Sequence, residues 1–227
     1  DFTLIVAPKS MILEWPNDFR RFKQDLYRVE VMSGSRNEKL AKLRMGSDVL
    51  VTNYETTVSM ENEIRAHLRS FGRRALLIVD ESFFVKNLDS KRTRSLRRLR
   101  EYCGPTYVLC GTPAPNSPQD IIQQFNIVDF GLTFNGLNIP DEREAALPVV
   151  RNAIEENGVF IRNLKEDVLP DLCEKRFQRI FIPLQPEQDR LYRAALENLI
   201  LDLRSTNDED FGRRITSFLA KRQALLQ

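Results

Sequence analysis

At 227 residues, 42% hydrophobic and 29% charged, the chain can bury a sizeable core as one large domain, or one domain with an appendage, and has the composition of an ordinary soluble globular protein. Its formal net charge is only +2, so global charge gives no indication of a nucleic-acid partner and any basic surface must come from patterning. A single histidine, His67, and three cysteines without metal-ligand spacing, Cys103, Cys110 and Cys173, exclude His-rich metal centres and Ser-His-Asp catalysis, and no apolar run reaches the length of a membrane span.

In chain order, residues 2–7 read as a strand, Pro8-Lys9-Ser10 as the turn after it, and residues 11–22 as a helix despite Pro16. Trp15 and Phe19 lie one helical turn apart and are expected to pack that helix. A second strand over 28–32, a turn at Ser33-Gly34-Ser35 and a short helix over 37–45 follow. Residues 48–55 give a third strand, and 56–71 a polar amphipathic helix carrying His67 as a solvated residue. The apolar run from Leu76 to Val79 is bounded by polar residues and ends in two adjacent carboxylates, Asp80 and Glu81. It reads as a buried strand of a parallel sheet with acids at its C-terminal edge, where open α/β sheets bind ligands. An acid there can hold Mg²⁺ through water while its neighbour orients an attacking water. A strand that merely ends in a solvated acidic turn has the same local sequence.

Residues 90–102 predict a helix with Leu96 and Leu99 inward and Lys91, Arg92, Arg94, Arg97, Arg98 and Arg100 largely outward. Such a stripe suits phosphates as well as it suits plain solvation. A short strand over 106–110 opens into Gly111-Thr112-Pro113, and Asn116-Ser117-Pro118 leads into a helix over 119–128. Gly111 permits the tight turn, and Pro118 at the helix start has no amide to lose. Residues 130–141 turn to Gly, Asn and Pro and read as a surface protrusion or boundary. Beyond it come a helix over 142–156 with a break at Pro148, a strand over 176–184, a long helix over 186–203, an acidic break over 205–210 and a further helix over 211–227. The cysteines are expected to be small buried apolar residues in a reducing compartment.

Several segments together resemble the Swi/Snf family of superfamily-two DNA-dependent ATPases, over nearly the whole chain. They are the Pro8-Lys9-Ser10 turn, the Thr52-Asn53-Tyr54 turn, Asp80-Glu81-Ser82 followed by Lys86-Asn87, Gly111-Thr112-Pro113 with Asn116-Ser117, and the segment 160–175. The family pattern reads Asp-Glu-small-His, two residues, then Lys-Asn; Phe83 stands where His is usual, and Asn163 and Cys173 also depart. That His is thought to connect the nucleotide site with the Gly-Thr turn, a hydrogen bond a phenyl ring cannot make.

The resemblance implies a RecA-like parallel sheet flanked by helices, with a partial first helicase lobe over residues 1–140 and a helical protrusion and brace over 141–227 leading to a second lobe of the same parent chain. It implies ATP and Mg²⁺ as cofactors, Asp80 holding the metal through water, and Glu81 as its catalytic neighbour. Ser82, Phe83, Lys86, Asn87, Gly111, Thr112, Pro113, Asn116 and Ser117 couple the motifs, with the Thr112 hydroxyl in a relay near the γ-phosphate. Pro8, Lys9, Ser10, Thr52, Asn53 and Tyr54 contact the backbone of double-stranded DNA, and Arg162 and Lys165 belong to the brace. No Gly-x-x-x-x-Gly-Lys-Ser/Thr loop occurs in the 227 residues, and Asp1 is not Met, so a segment of a longer protein is expected, inactive alone. A cytoplasmic location in a bacterial or phage-infected cell, or a nuclear one in a eukaryote, goes with that. Another superfamily-two helicase and a non-catalytic binding module derived from such a lobe are the competing classes.

Overall fold

The computed structural model describes residues 1–23, 26–157, 160–169, 171, 173 and 176–205. Five strands, β1 (Phe2–Ala7), β2 (Val29–Val31), β3 (Val49–Asn53), β4 (Ala75–Asp80) and β5 (Thr106–Leu109), form one sheet in the order β2-β3-β1-β4-β5, every pair parallel. Parallel neighbours need crossover connections. Helices α1 (Glu14–Phe22), α2 (Arg36–Arg44), α3 (Tyr54–Ser59), α4 (Glu61–Arg69) and α5 (Lys91–Arg100) supply them. Helices α6 (Ile122–Asp129) and α7 (Arg143–Asn157) follow β5, and α8 (Lys165–Val168) and α9 (Pro186–Ser205) lie further on.

The pleat sorts the apolar runs onto two faces. Leu4, Val6, Leu50, Leu77 and Val79 join Ile64, Leu68, Leu96 and Leu99 in the larger core. Ile5, Ala7, Val49 and Val51 face the other way, against Ile12, Trp15 and Phe19. Both faces of β1 and β3 are therefore buried, as a period of two demands of central parallel strands. A third cluster gathers Ile121, Phe125, Phe134, Val150 and Ala153. It holds α7 against the segment after β5, so the compact first unit runs to Arg162, past the composition change near 140; residues 163–227 form the second unit.

Several expectations are revised. The helix expected over 56–71 is two helices broken at Met60, whose side chain is buried at 1% exposure. Pro148 lies inside α7 without ending it. His67 is half-buried, edge-on to Phe2 at 4.9 Å and to Phe71 at 5.2 Å, and burial lowers its pKa. Cys103 alone is a buried thiol, its pKa pushed up to about 11 by burial, while Cys110 is half-buried and Cys173 exposed. Arg100 points inward: its guanidinium donates to the carbonyls of Ile127, Val128 and Cys103. Residues 176–184 form no strand; Phe177, Phe181 and Ile182 are more than four-fifths exposed. Their apolar spacing alternates only in part, and an extended segment without a ladder partner has no sheet to join. The helix expected over 211–227 and the break before it at 206–210 lie outside the described residues.

The core makes a direct prediction. Leu77→Ala, at a fully buried position in β4, costs about 2–5 kcal/mol in urea unfolding. Leu132→Ala, at a position 73% exposed, stays within about 0.5 kcal/mol.

Candidate active site

The parallel register sends the C-terminal ends of β1, β3, β4 and β5 to one edge. The Pro8-Lys9-Ser10 turn, Asn53-Tyr54, Asp80-Glu81 and the Cys110–Pro113 turn therefore share that edge. Period two gives Asp80 the face of Ile78, which is the face that α1 covers.

The acid turn is held from both faces of the sheet. On the α1 face, Trp15 Nε1 donates to Asp80 Oδ2 at 3.1 Å, while the Glu81 amide donates to Asp80 Oδ1 at 2.9 Å. On the opposite face the Tyr54 hydroxyl donates to the Asp80 carbonyl at 2.6 Å and to the Glu81 carbonyl at 3.3 Å. Burial, then the Asp80 charge, pushes the Tyr54 phenol well above its ordinary pKa, so it stays a donor. Glu81 itself sits in the left-handed region at φ 49°, ψ 54°. For a non-glycine residue that costs about 1–2 kcal/mol, and residues held this way cluster at functional sites.

Among the described residues each Asp80 oxygen accepts one hydrogen bond, which leaves it a second lone pair. The carboxylate is half-exposed at the sheet edge, an arrangement that fits a hard cation held through water. Among the described residues no group of three or more His, Cys, Asp or Glu forms a metal cage.

The two downstream motifs meet at side chains that local sequence reasoning missed. Lys86 Nζ bonds Asp120 Oδ2 at 3.1 Å, and the same oxygen accepts from the Asn116 amide at 3.0 Å and the Ser117 amide at 3.4 Å. The Lys-Asn and Gly-Thr-Pro-x-x-Asn-Ser signatures are thus pinned together through Asp120; the Ser-x-x-Asp spacing was its one sequence signal. Asn87 is exposed and its side chain accepts from the Asp89 amide. Gln124, 2% exposed, accepts from the Ser82 hydroxyl at 2.5 Å and donates to the carbonyls of Pro113 and Asp120. It bridges the acid turn to the Gly-Thr-Pro turn directly, a connection that Phe83 lacks the atoms to make. Nothing in a helical glutamine distinguishes it from a surface residue beforehand. Phe83 stacks on Phe84 at 4.5 Å, and Phe84 lies 5.3 Å from Tyr54. Gly111 and Thr112 are exposed.

The other site residues divide sharply by exposure. Lys9 and Ser10 are exposed beside half-buried Pro8, in a turn closed by the Met11 amide on the Pro8 carbonyl at 2.8 Å. Thr52, Asn53 and Tyr54 are buried. The Asn53 side chain caps α3 by accepting from the Thr56 amide, and Tyr54 is committed to the acid turn. The Asn53 and Tyr54 side chains are thus engaged within the edge, while Thr52 Oγ1 is buried without a hydrogen-bond partner among the described residues. Of the basic α5 stripe, Arg92 pairs with Glu55 and Arg98 with Glu61, leaving Lys91, Arg94 and Arg97 exposed. Arg162 and Lys165 are exposed.

Fold and edge together define a RecA-like α/β lobe: an open parallel sheet, flanked by helices, with an acid turn and a Gly-Thr-Pro turn at its C-terminal edge. The SNF2-related domain model matches residues 2–226, and the chain belongs to that family. It is 26% identical over 199 residues to the SWI/SNF-related matrix-associated actin-dependent regulator of chromatin subfamily A-like protein 1 of Xenopus laevis, covering 81% of this chain and 19% of that protein. It is 27% identical over 210 residues to the putative ATP-dependent helicase/translocase YwqA of Bacillus subtilis, covering 86% and 22%. The chain thus spans about a fifth of the length of these relatives. The SWI2/SNF2 ATPase core of Sulfolobus solfataricus in complex with dsDNA shares the fold at a TM-score of 0.50 and 21% identity, over 99% of this chain and 47% of that one.

The Asp120 junction carries a pH signature. Burial acts to raise the carboxyl, but the Asn116 amide, the Lys86 ammonium and the Ser117 amide outweigh it and hold the pKa below the ordinary range. A depressed carboxylate contributes stability above its unfolded pKa of about 3.9, and that contribution is lost as pH falls through the folded value. The stability gap between the wild-type chain and Asp120→Asn is therefore complete at neutral pH and closes in unfolding measurements below about pH 4.

Proposed function

We propose that this chain is the first-lobe portion of a SNF2-type motor that couples ATP hydrolysis to movement along double-stranded DNA. The observation that carries the reading is the sheet edge in a chain of this family: the strained, doubly held Asp80-Glu81 turn shares it with the exposed Lys9-Ser10 turn. On this reading Asp80 holds Mg²⁺ through water and Glu81 orients the attacking water. The cation, when bound, neutralises charge developing on the transferring phosphoryl oxygens. Lys9 and Ser10 meet DNA phosphates, contacts that position without reading sequence. Lys86, Asp120 and Gln124 keep the Gly111-Thr112-Pro113 turn in register with the acids.

Residues 1–140 form the partial lobe, and 141–227, with Arg162 and Lys165, the protrusion and brace, α7 packing back on the lobe it leaves. The 227 residues contain no Gly-rich phosphate loop, so on this reading nucleotide grip comes from outside them and the chain alone is inactive. The names of the relatives, ATP-dependent helicases and translocases, and the dsDNA-bound neighbour support the same reading.

ATP turnover by the whole protein is the test. Double-stranded DNA is expected to stimulate it, and Glu81→Gln to lower it by about 100-fold or more. Turnover that ignores DNA, or survives the substitution, contradicts the reading. No turnover under any condition leaves a binding module.

A further inference from the structure

We infer that Trp15 is a positioning residue for the Asp80 carboxylate and ties it to the helix that follows the Lys9-Ser10 turn. The inference rests on the role proposed for Asp80 above. Trp15 is the second residue of α1, and α1 grows directly out of that turn through hydrogen bonds from the Met11 amide to the Pro8 carbonyl and from the Glu14 amide to the Met11 carbonyl, of 2.8 and 3.0 Å. Its ring is held from the side by Phe19, at 6.4 Å between centroids, within the apolar cluster under β1 and β3. That packing fixes where the indole N–H points, and it points at Asp80 Oδ2.

The bond is charge-assisted, partly buried, and 65 residues long in sequence. With Oδ1 occupied by the Glu81 amide, the carboxylate has no free rotation left. One orientation of its remaining lone pairs is presented to the sheet edge. Partners of this kind set ligand orientation at metal sites, and losing one costs about 10–100-fold in metal affinity or activity. The geometry also gives any displacement of the Lys9-Ser10 turn a single-bond path to the acid. Tyr54 supplies the matching hold from the opposite face, but on main-chain carbonyls, so it fixes the turn without orienting the carboxylate.

Trp15 is the only tryptophan in the chain, so the ¹⁵N-labelled 227-residue chain gives a single indole cross-peak. Asp80→Ala is expected to move that proton upfield, and Asp18→Ala, at an exposed position of the same helix, to leave it in place. An indole peak unmoved by Asp80→Ala overturns the proposal whatever the whole protein does. In the whole protein, Trp15→Phe keeps the ring packing and removes the N–H. It is expected to raise the Mg²⁺ concentration for half-maximal turnover by about tenfold or more, with the affinity for duplex DNA unchanged. An unchanged Mg²⁺ requirement overturns the positioning role. Absence of turnover with Trp15 intact defeats the functional reading instead, and the indole measurement still decides the bond.

Discussion

Everything at the candidate site depends on the sheet being parallel throughout. Because β1, β3, β4 and β5 run the same way, four chain segments far apart in sequence must emerge at one edge, and loops of 2–6 residues suffice to place chemistry there. The pleat then decides which face each side chain takes. Asp80 follows Ile78 onto the α1 face while Tyr54 comes from the other, so the acid turn is gripped from above and below. Such a grip is what permits Glu81 to remain in a left-handed conformation that an unsupported glutamate would leave.

The second organising feature is a set of polar side chains at the edge that connect turns. Ser82 and the Pro113 carbonyl share Gln124; Lys86 and the Asn116 and Ser117 amides share Asp120. Buried polar groups are tolerable when each finds a partner, and a network so satisfied also fixes a single arrangement. Phe83, with no polar side-chain atom, cannot join these turns by a hydrogen bond. The bridge through Gln124 supplies the route between the acid turn and the Gly-Thr-Pro turn, and the phenyl ring is absorbed by stacking on Phe84.

How far the sequence could be read follows from which interactions are local. Strands β1, β3, β4 and β5 stand out because each is a short apolar run closed by polar residues. Their order and register do not, since runs buried on both faces carry no alternation to mark a face. Caps and turns were legible where glycine or proline marks them. The break at Met60 was not, because only tertiary burial of that side chain produces it. Lys91 to Arg100 read as a uniform basic stripe, whereas Glu55, Glu61 and the main-chain carbonyls of Ile127 and Val128, all distant in sequence, claim Arg92, Arg98 and Arg100. Of the site, the acids and signature turns were visible as residue types. Trp15, Asp120 and Gln124 became visible only as contacts across the fold.

The proposal that the acid turn and the Lys9-Ser10 turn work as one device is tested most directly by displacement of a third strand from a DNA triplex by the whole protein. A motor moving along duplex DNA strips the third strand only when ATP is hydrolysed, leaves the duplex paired, and loses the ability with Asp80→Ala. Release that needs no ATP, or separation of the duplex into single strands, would contradict it.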